Sequence, residues 1–332
     1  MTGPPPPTAW AADSDEDGPG SPAASPRRRL LFGTTSYVLP ADLLPNVRLL
    51  APLVDDIELI LFEGEESNLP RRADVAAMGD LARGSGCGFT VHLPLDVGLG
   101  ELDPIIRRRA QETCLRVIDL TLELEPHAFV VHPELPLAYH PPLGEPPRPL
   151  DVLPRAFKTR WLEALGESLA RLAALTGDYP LAVENLQFPF AWVRALLDDL
   201  DLGVTFDVGH LLSAGGTVRE HLDAIGDRLT VVHLHGFADG RDHQALTSYA
   251  PAELAAMLRG FASAPTRRPV AADPDEAPAI VVSLEVFGWR STLPSLRALA
   301  EVLGGGAGRR YALAAEAIAK VVGESDRLPV DD

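Results

Sequence analysis

Eight short runs of apolar, β-branched residues recur along the chain, and stretches of helical periodicity separate them. The runs are LLFGTTSYV (30–38), DIELILFE (56–63), GFTVHLP (88–94), HAFVVHP (127–133), PLAVENL (180–186), LGVTFDVGH (202–210), LTVVHLHG (229–236) and IVVSLEVFG (280–288). They are near-continuous rather than alternating, as expected of strands buried on both faces of a parallel sheet. The segments 41–54, 71–84, 104–124, 160–177, 189–200, 217–226, 250–262 and 292–304 read as the intervening helices. Strand and helix alternating until the count closes at eight predicts an α/β fold of the (β/α)8 TIM barrel type. A doubly wound open sheet is the alternative. The absence of a Gly-rich phosphate fingerprint after the first run favours the barrel.

The barrel pattern occupies residues 30–326 as one domain. Residues 1–29 read as a disordered tail, rich in Pro, Gly, Ser and acid and closed by an Arg triplet at 27–29 that reads as a solvated flank. Two Pro-rich insertions interrupt the spacing, at 134–157 and 263–279. The first leaves the C-terminal end of the fourth strand, where barrel active sites are built, and so is a candidate lid or substrate wall. The second enters the eighth strand from the opposite face and reads as a spacer. A further helical stretch, 309–324, reads as a terminal addition.

A net charge of −18 argues against a protein that holds nucleic acid by neutralising phosphates. Two cysteines, Cys87 and Cys114, cannot make a disulfide framework, which fits a reducing cytoplasm. No apolar run approaches the roughly 18 residues of a membrane span, and the N-terminus lacks the apolar core of a secretory signal. Neither nucleic acid nor membrane is therefore expected as a partner.

The chemistry is signalled by polar residues at strand ends. His92, His132, Glu184, Asp207, His233, His235 and Glu285 fall near the C-terminal ends of their runs, His210 follows Asp207 by three, and Glu63 ends the second run. A lone histidine in such a place is more often a hydrogen-bonded core residue than a ligand. A lone carboxylate is harder to explain, because burying it unpaired costs several kcal/mol. As a set these residues have no bland explanation: acids and imidazoles crowded at one barrel mouth are jointly satisfied by divalent metal. Mixed His and carboxylate donors without thiolate suit zinc or manganese, with iron and cobalt also compatible. Their number suits two or three ions with Glu184 bridging, an arrangement that activates water and stabilises a leaving oxygen. His233 and His235 share a face by strand alternation, whereas Asp207 and His210 share one only if the strand ends near Val208 and Gly209 turns the chain. His243, beside Asp242 in the loop after the seventh strand, is the next candidate ligand. His127, His140, His221 and both cysteines are given no role. Phe188, Phe190, Trp192, Phe237, Phe287 and Trp289 follow ligand-bearing strands and read either as substrate walls or as core.

His92, His132, Glu184 in VEN, Asp207 and His210 in FDVGH, His233 in VHLHG and Glu285 in SLEVFG together resemble the xylose-isomerase-like barrels over roughly residues 30–303. That superfamily includes sugar isomerases and epimerases and the endonuclease IV type of apurinic endonuclease. The resemblance implies that Glu184, Asp207, His233 and Glu285 hold the single ion of the epimerase branch. For the three-metal branch it implies His92, His132 and Glu184 on one ion, the four-residue set on a second, and His210 with the Asp242–His243 segment on a third. Endonucleases space that Asp and His by one residue, whereas here they are adjacent. The opening segment, FGTTSYVLPADLLPNVRLLAPLVDDIELILFE followed by SNLP, resembles more closely the cobamide-remodelling phosphodiesterases of the same superfamily. What this implies is hydrolysis of the nucleotide-loop phosphoester of corrinoids such as pseudocobalamin. The products are cobinamide phosphate and the lower-ligand nucleoside, for corrinoid salvage.

The expectation is a cytoplasmic, metal-dependent phosphodiesterase taking a small-molecule corrinoid. Glu184 and Glu285 are its catalytic carboxylates. His92, His132, Glu184, Asp207, His210, His233, His243 and Glu285 hold two or three divalent ions. Ser36, Tyr37, Glu63 and His235 face substrate. The alternative is a sugar isomerase or epimerase with one ion, in which Glu184 and Glu285 form the acid/base pair. A carrier of corrinoid or metal that performs no chemistry is a third reading.

Overall fold

A computed structural model describes residues 28–64, 68–139, 153–186, 188–265 and 279–325. The expected tail, up to residue 27, and the greater part of both Pro-rich insertions lie outside the described residues. Eight parallel strands close into a barrel: β1 (Arg29–Thr35), β2 (Asp56–Ile60), β3 (Gly88–His92), β4 (Ala128–Val131), β5 (Leu181–Glu184), β6 (Gly203–Asp207), β7 (Leu229–Leu234) and β10 (Ala279–Leu284). Their order around the barrel is β1-β10-β7-β6-β5-β4-β3-β2. The (β/α)8 expectation therefore holds. The strands are shorter than the apolar runs, because each run continues into the loop at the mouth. The loop after β7 adds an antiparallel hairpin, β8 (Gly236–Ala238) and β9 (Arg241–Gln244), that periodicity did not announce.

The helices α1 (Leu43–Leu50), α2 (Arg72–Ser85), α3 (Pro104–Thr121), α4 (Arg155–Thr176), α5 (Arg194–Asp199), α7 (Val218–Ile225), α8 (Pro251–Ser263) and α9 (Trp289–Leu303) follow the strands, and α6 (Val208–Ser213) is a short extra turn after β6. Two caps are written locally. Asp103 accepts from the Ile105 amide at 2.8 Å ahead of α3, whose first residue is Pro104. Thr217 does the same for α7 through Glu220. Between strands and helices lies a continuous apolar layer that includes Trp161, Phe89, Phe129, Phe206 and Phe261, all fully buried.

Period-two alternation sends the other side chains into the barrel. Low in the barrel they are apolar: Leu31, Ala128, Val130, Ala182, Val231 and Val281 form one cluster. Further along, beyond Val130, Ala182, Val231 and Val281, the inward positions turn polar with His132, Glu184, His233 and Ser283, and that switch builds the site.

The opposite end of the barrel is held by pairs that touch no metal donor. Asp55 accepts from the Tyr311 hydroxyl at 2.6 Å, from the Phe32 amide at 3.0 Å and from Arg310, docking the C-terminal helix α10 (Gly305–Ser325) beneath β1. His127 pairs with the fully buried Asp56 at 2.7 Å. A cavity of about 560 Å³ opens there, lined by Arg29, Cys87, His127 and Tyr179 among others, and no group of converging donors lies in it among the described residues. No described helix is long and apolar enough to cross a membrane.

His221 on α7 is buried between Phe206, 4.7 Å away between ring centres, and Phe190 at 5.0 Å. Burial without a charged partner pushes it down to about 4. Its neutral form belongs to the folded state, so its contribution is complete above the unfolded value near 6.5 and is lost as pH falls toward 4. The loss amounts to roughly 3 kcal/mol. Urea unfolding midpoints compared at pH 7 and pH 4 should therefore fall less in His221→Leu than in the parent chain.

Candidate metal centre

The inward position at the C-terminal end of each strand from β3 onward carries a donor. His92 ends β3, His132 follows β4, Glu184 ends β5, Asp207 ends β6, His233 lies near the end of β7 and Glu285 follows β10. The barrel's closure aims them at one point. Glu184 stands at its centre: Oε2 lies 3.1 Å from His132 Nε2, 3.3 Å from His233 Nδ1 and 3.4 Å from His92 Nε2, while Oε1 lies 3.3 Å from His210 Nδ1. Four overlapping donor groups result, each with its ligand atoms within 4.8 Å of one another: His92–His132–Glu184, Glu184–Asp207–His233–Glu285, His210–Asp242–His243 and His235–His243–Glu285. Glu184 belongs to two of them.

The imidazoles are oriented by the nitrogen each turns away from a neighbouring metal position. A carbonyl only accepts, so the ring nitrogen bonded to it carries a proton and the other nitrogen is the one a cation would take. His92 Nδ1 donates to the Leu93 carbonyl at 2.9 Å, and His132 Nδ1 faces Glu134 at 3.4 Å. His210 Nδ1 donates to the Asn185 carbonyl at 3.1 Å, and His243 Nδ1 to the Glu285 carbonyl at 3.1 Å. His233 is reversed: Nε2 faces Glu58 at 2.8 Å, and Nδ1 faces Glu184 and, at 3.1 Å, Glu285.

Local chain geometry delivers the third group. β6 ends at Asp207, whose carboxylate caps α6 by accepting from the His210 amide at 2.5 Å. One helical turn then places His210 over the same mouth. A Cβ at Gly209 would run into the His235 ring, so only glycine lets α6 start this close to β7. Asp242 and His243 are neighbours on β9, where alternation would send them to opposite faces. His243 has a φ of 50°, in the left-handed region, and this break in the alternation brings both beside His210, whose Nε2 lies 4.0 Å from Asp242.

Other expected residues are placed elsewhere. Glu63 lies beyond the end of β2, and its carboxylate is taken by Thr113 and by Arg116, at 2.9 Å, on α3, away from the cluster. Ser36 is buried between β1 and β2, where its hydroxyl accepts from the Ile60 amide at 3.3 Å. His235 is fully buried: Nε2 donates to Asp207 at 2.9 Å and Nδ1 accepts from the His243 amide at 2.8 Å. Both its nitrogens are used, so it supports ligands instead of facing substrate. Tyr37 does stand at the mouth, edge-on to Phe62 and Phe287. Of the aromatic residues weighed as walls, Phe287 is 45% exposed and 5.1 Å from the His243 ring. Phe188 and Trp192 stack on each other against buried Trp161, Phe190 packs on His221, and Phe237 is packed against the core.

Glu58 was missed. It sits inside DIELILFE, the same signal that marked Glu184 and Glu285, but at mid-strand and not at the run's end. It is fully buried, faces inward, and pairs with His233.

The charges of this cluster are strongly interdependent. Burial opposes charge on His132, but Glu184 and Glu134 outweigh it and push His132 up to about 10. Glu184 and Asp207 likewise push His210 up to about 9 against its burial. Burial would raise Glu184, yet His132 and His233 hold it well below the usual carboxylate range. Glu184 Oε1, Glu285 Oε2 and His233 Nδ1 are buried and take no hydrogen bond among the described residues. Orphaned acceptors at the focus of a nitrogen and oxygen donor set fit a divalent cation of the zinc or manganese kind.

The model of the xylose isomerase-like TIM barrel family matches residues 54–251. An uncharacterized protein of Methanocaldococcus jannaschii is 26% identical over 220 residues, 61% of this chain and 70% of that one. The 3-keto-D-glucoside 4-epimerase YcjR of E. coli superposes with a TM-score of 0.60 at 17% identity, covering 83% of this chain and 99% of its own. A D-tagatose 3-epimerase-like protein gives 0.59 at 19%, covering 89% and 99%. Endonuclease IV from Thermus thermophilus gives 0.53 at 16%, with the same coverage of 89% and 99%. At such identities these structures share the fold. With its eight closed parallel strands, and with the family model spanning more than half of its length, the chain belongs to the xylose isomerase-like TIM barrel family.

Proposed function

We propose that the chain is a metal-dependent phosphodiesterase holding more than one divalent ion, with a corrinoid as substrate. The observation that carries the reading is the surplus of donors. The four residues Glu184, Asp207, His233 and Glu285 suffice for one ion, yet His92 and His132 share Glu184 with them and His210, Asp242 and His243 form a further group. Charge supports it too. Glu58, Glu184, Asp207 and Glu285 are four buried carboxylates. One divalent ion would leave two negative charges for imidazolium to balance, whereas two ions match them.

When bound, such ions activate a water molecule and stabilise charge on phosphoryl oxygens. The chain's own contribution is positional. Glu184 spans two ion positions, the backbone carbonyls of Leu93, Asn185 and Glu285 fix the imidazole rings, and His235 braces Asp207. Tyr37, Phe62 and Phe287 offer an apolar rim to a bulky substrate. The corrinoid itself rests on the likeness of the opening segment to cobamide-remodelling enzymes. Such a reaction would serve salvage, freeing the lower ligand so that the corrinoid can be rebuilt.

The second reading is a sugar isomerase or epimerase with one ion and Glu184 and Glu285 as acid and base. Named by activity, the similar solved structures support this reading better than the first, since sugar epimerases recur among them. It leaves His92, His132 and the His210 group without work.

Elemental analysis of the purified protein, with chromatography after incubation on pseudocobalamin, separates the readings. Two or more ions per chain and release of cobinamide phosphate are expected. One ion, intact corrinoid and turnover of a ketose would replace the first reading by the second. Glu184→Gln should remove turnover and lower metal stoichiometry together. His132 and His210, held up at about 10 and 9, carry protons at neutral pH until an ion takes their nitrogens. Ion uptake at pH 7 should therefore release protons, read by calorimetry in buffers of different ionisation enthalpy, and affinity should rise with pH.

A further inference from the structure

We infer that Glu58 is a positioning residue, a buried carboxylate that fixes His233 with its Nδ1 lone pair on the ion position shared with Glu184, Asp207 and Glu285. The inference rests on the reading of that cluster as a metal centre and holds for either activity proposed above.

His233 sits in a contest for its proton. On the Nδ1 side Glu285 Oε2 lies at 3.1 Å and Glu184 Oε2 at 3.3 Å, with Asp207 Oδ2 at 3.9 Å. Any of these carboxylates would hold a proton on Nδ1, where it would block a cation. Among the described residues it is Glu58 that faces the other side, with Oε1 at 2.8 Å from Nε2. It is closer than any rival, and a cation among the other three neutralises their pull. Glu58 thus selects the tautomer with the proton on Nε2 and raises the basicity of Nδ1.

Stability does not account for Glu58. It and His233 are fully buried, and the hydroxyl of Ser283 on β10 also acts on its carboxylate. The hydroxyls of Thr90 on β3 and Thr205 on β6 are likewise buried, without hydrogen-bond partners among the described residues. Glu184, Asp207 and Glu285 also face His233, so the ring keeps a counter-charge when Glu58 is made neutral. What the chain would lose with the Glu58 charge is the hold on His233 Nε2. Geometry further limits its role to support, because β2 places it at mid-strand, below the strand ends that present the other donors.

The test compares the full chain with Glu58→Gln, which keeps the shape and removes the charge, and with Glu58→Asp. Each protein, stripped by chelator, is titrated with Zn²⁺ against a chelating indicator, and its melting temperature is read in chelator. Glu58→Gln should bind the tightest ion 10- to 100-fold more weakly. Its metal-free melting temperature should equal or exceed that of the parent. Glu58→Asp should recover part of the affinity. A merely structural Glu58 predicts the reverse: unchanged affinity and a lower melting temperature, and that result overturns the inference. The parent chain loaded with Zn²⁺ supplies a measurement free of folding defects. Nitrogen-15 shifts of His233, assigned by their loss in His233→Gln, should show a protonated Nε2 and a metal-bound Nδ1. A protonated Nδ1 overturns the inference with the metal reading intact. A parent chain that binds no divalent ion overturns the metal reading itself.

Discussion

Four carboxylates withdrawn from water at one end of a barrel repel one another, and the rest of the site answers that repulsion. Glu58, Glu184, Asp207 and Glu285 stand on strands held rigid by closed parallel pairing. They cannot relax apart without breaking the barrel. Histidines on neighbouring strands supply partial relief, since burial opposes imidazolium while the carboxylates sustain it. Divalent cations held by the donor groups would supply the rest. Hydrogen bonds that turn one nitrogen of each ring away from the centre are therefore as much a part of the site as the donor atoms.

The same closure separates stability from chemistry along the barrel axis. Low in the barrel the inward positions are small or branched apolar residues, and beyond them Asp55 and Asp56 anchor α10 and His127. Toward the mouth those positions carry donors, and the polar cost is met there by mutual pairing. Two devices adapt the mouth further. Asp207 starts a helical turn that returns His210 to the site, and the left-handed backbone at His243 places adjacent residues on one side of a hairpin.

Much of this was legible in the chain. Buried parallel strands need apolar residues on both faces, so the runs and their count revealed the barrel. Carboxylates and histidines inside such runs are too costly to be incidental, which singled out His92, His132, Glu184, Asp207, His233 and Glu285. One misreading comes from taking a run's end for a strand's end. The second run continues three residues past Ile60, so Glu63 looked like a mouth residue while it pairs with Thr113 and Arg116. Glu58 lies inside the run, two residues before the true strand end, and was not singled out. His235 was read as substrate-facing because alternation aligned it with His233, yet Asp207 and the His243 amide occupy both its nitrogens.

The sequence by itself determined the barrel and the pool of donors, because periodicity and the cost of burying charge are local properties that each segment carries alone. Only the tertiary structure decided which donors meet, which nitrogen of each ring faces the centre, and that Glu58 stands behind His233. Those outcomes depend on register, strand tilt and a single left-handed backbone angle, and they arise only when residues as distant in the chain as 58 and 233 are brought within hydrogen-bonding distance.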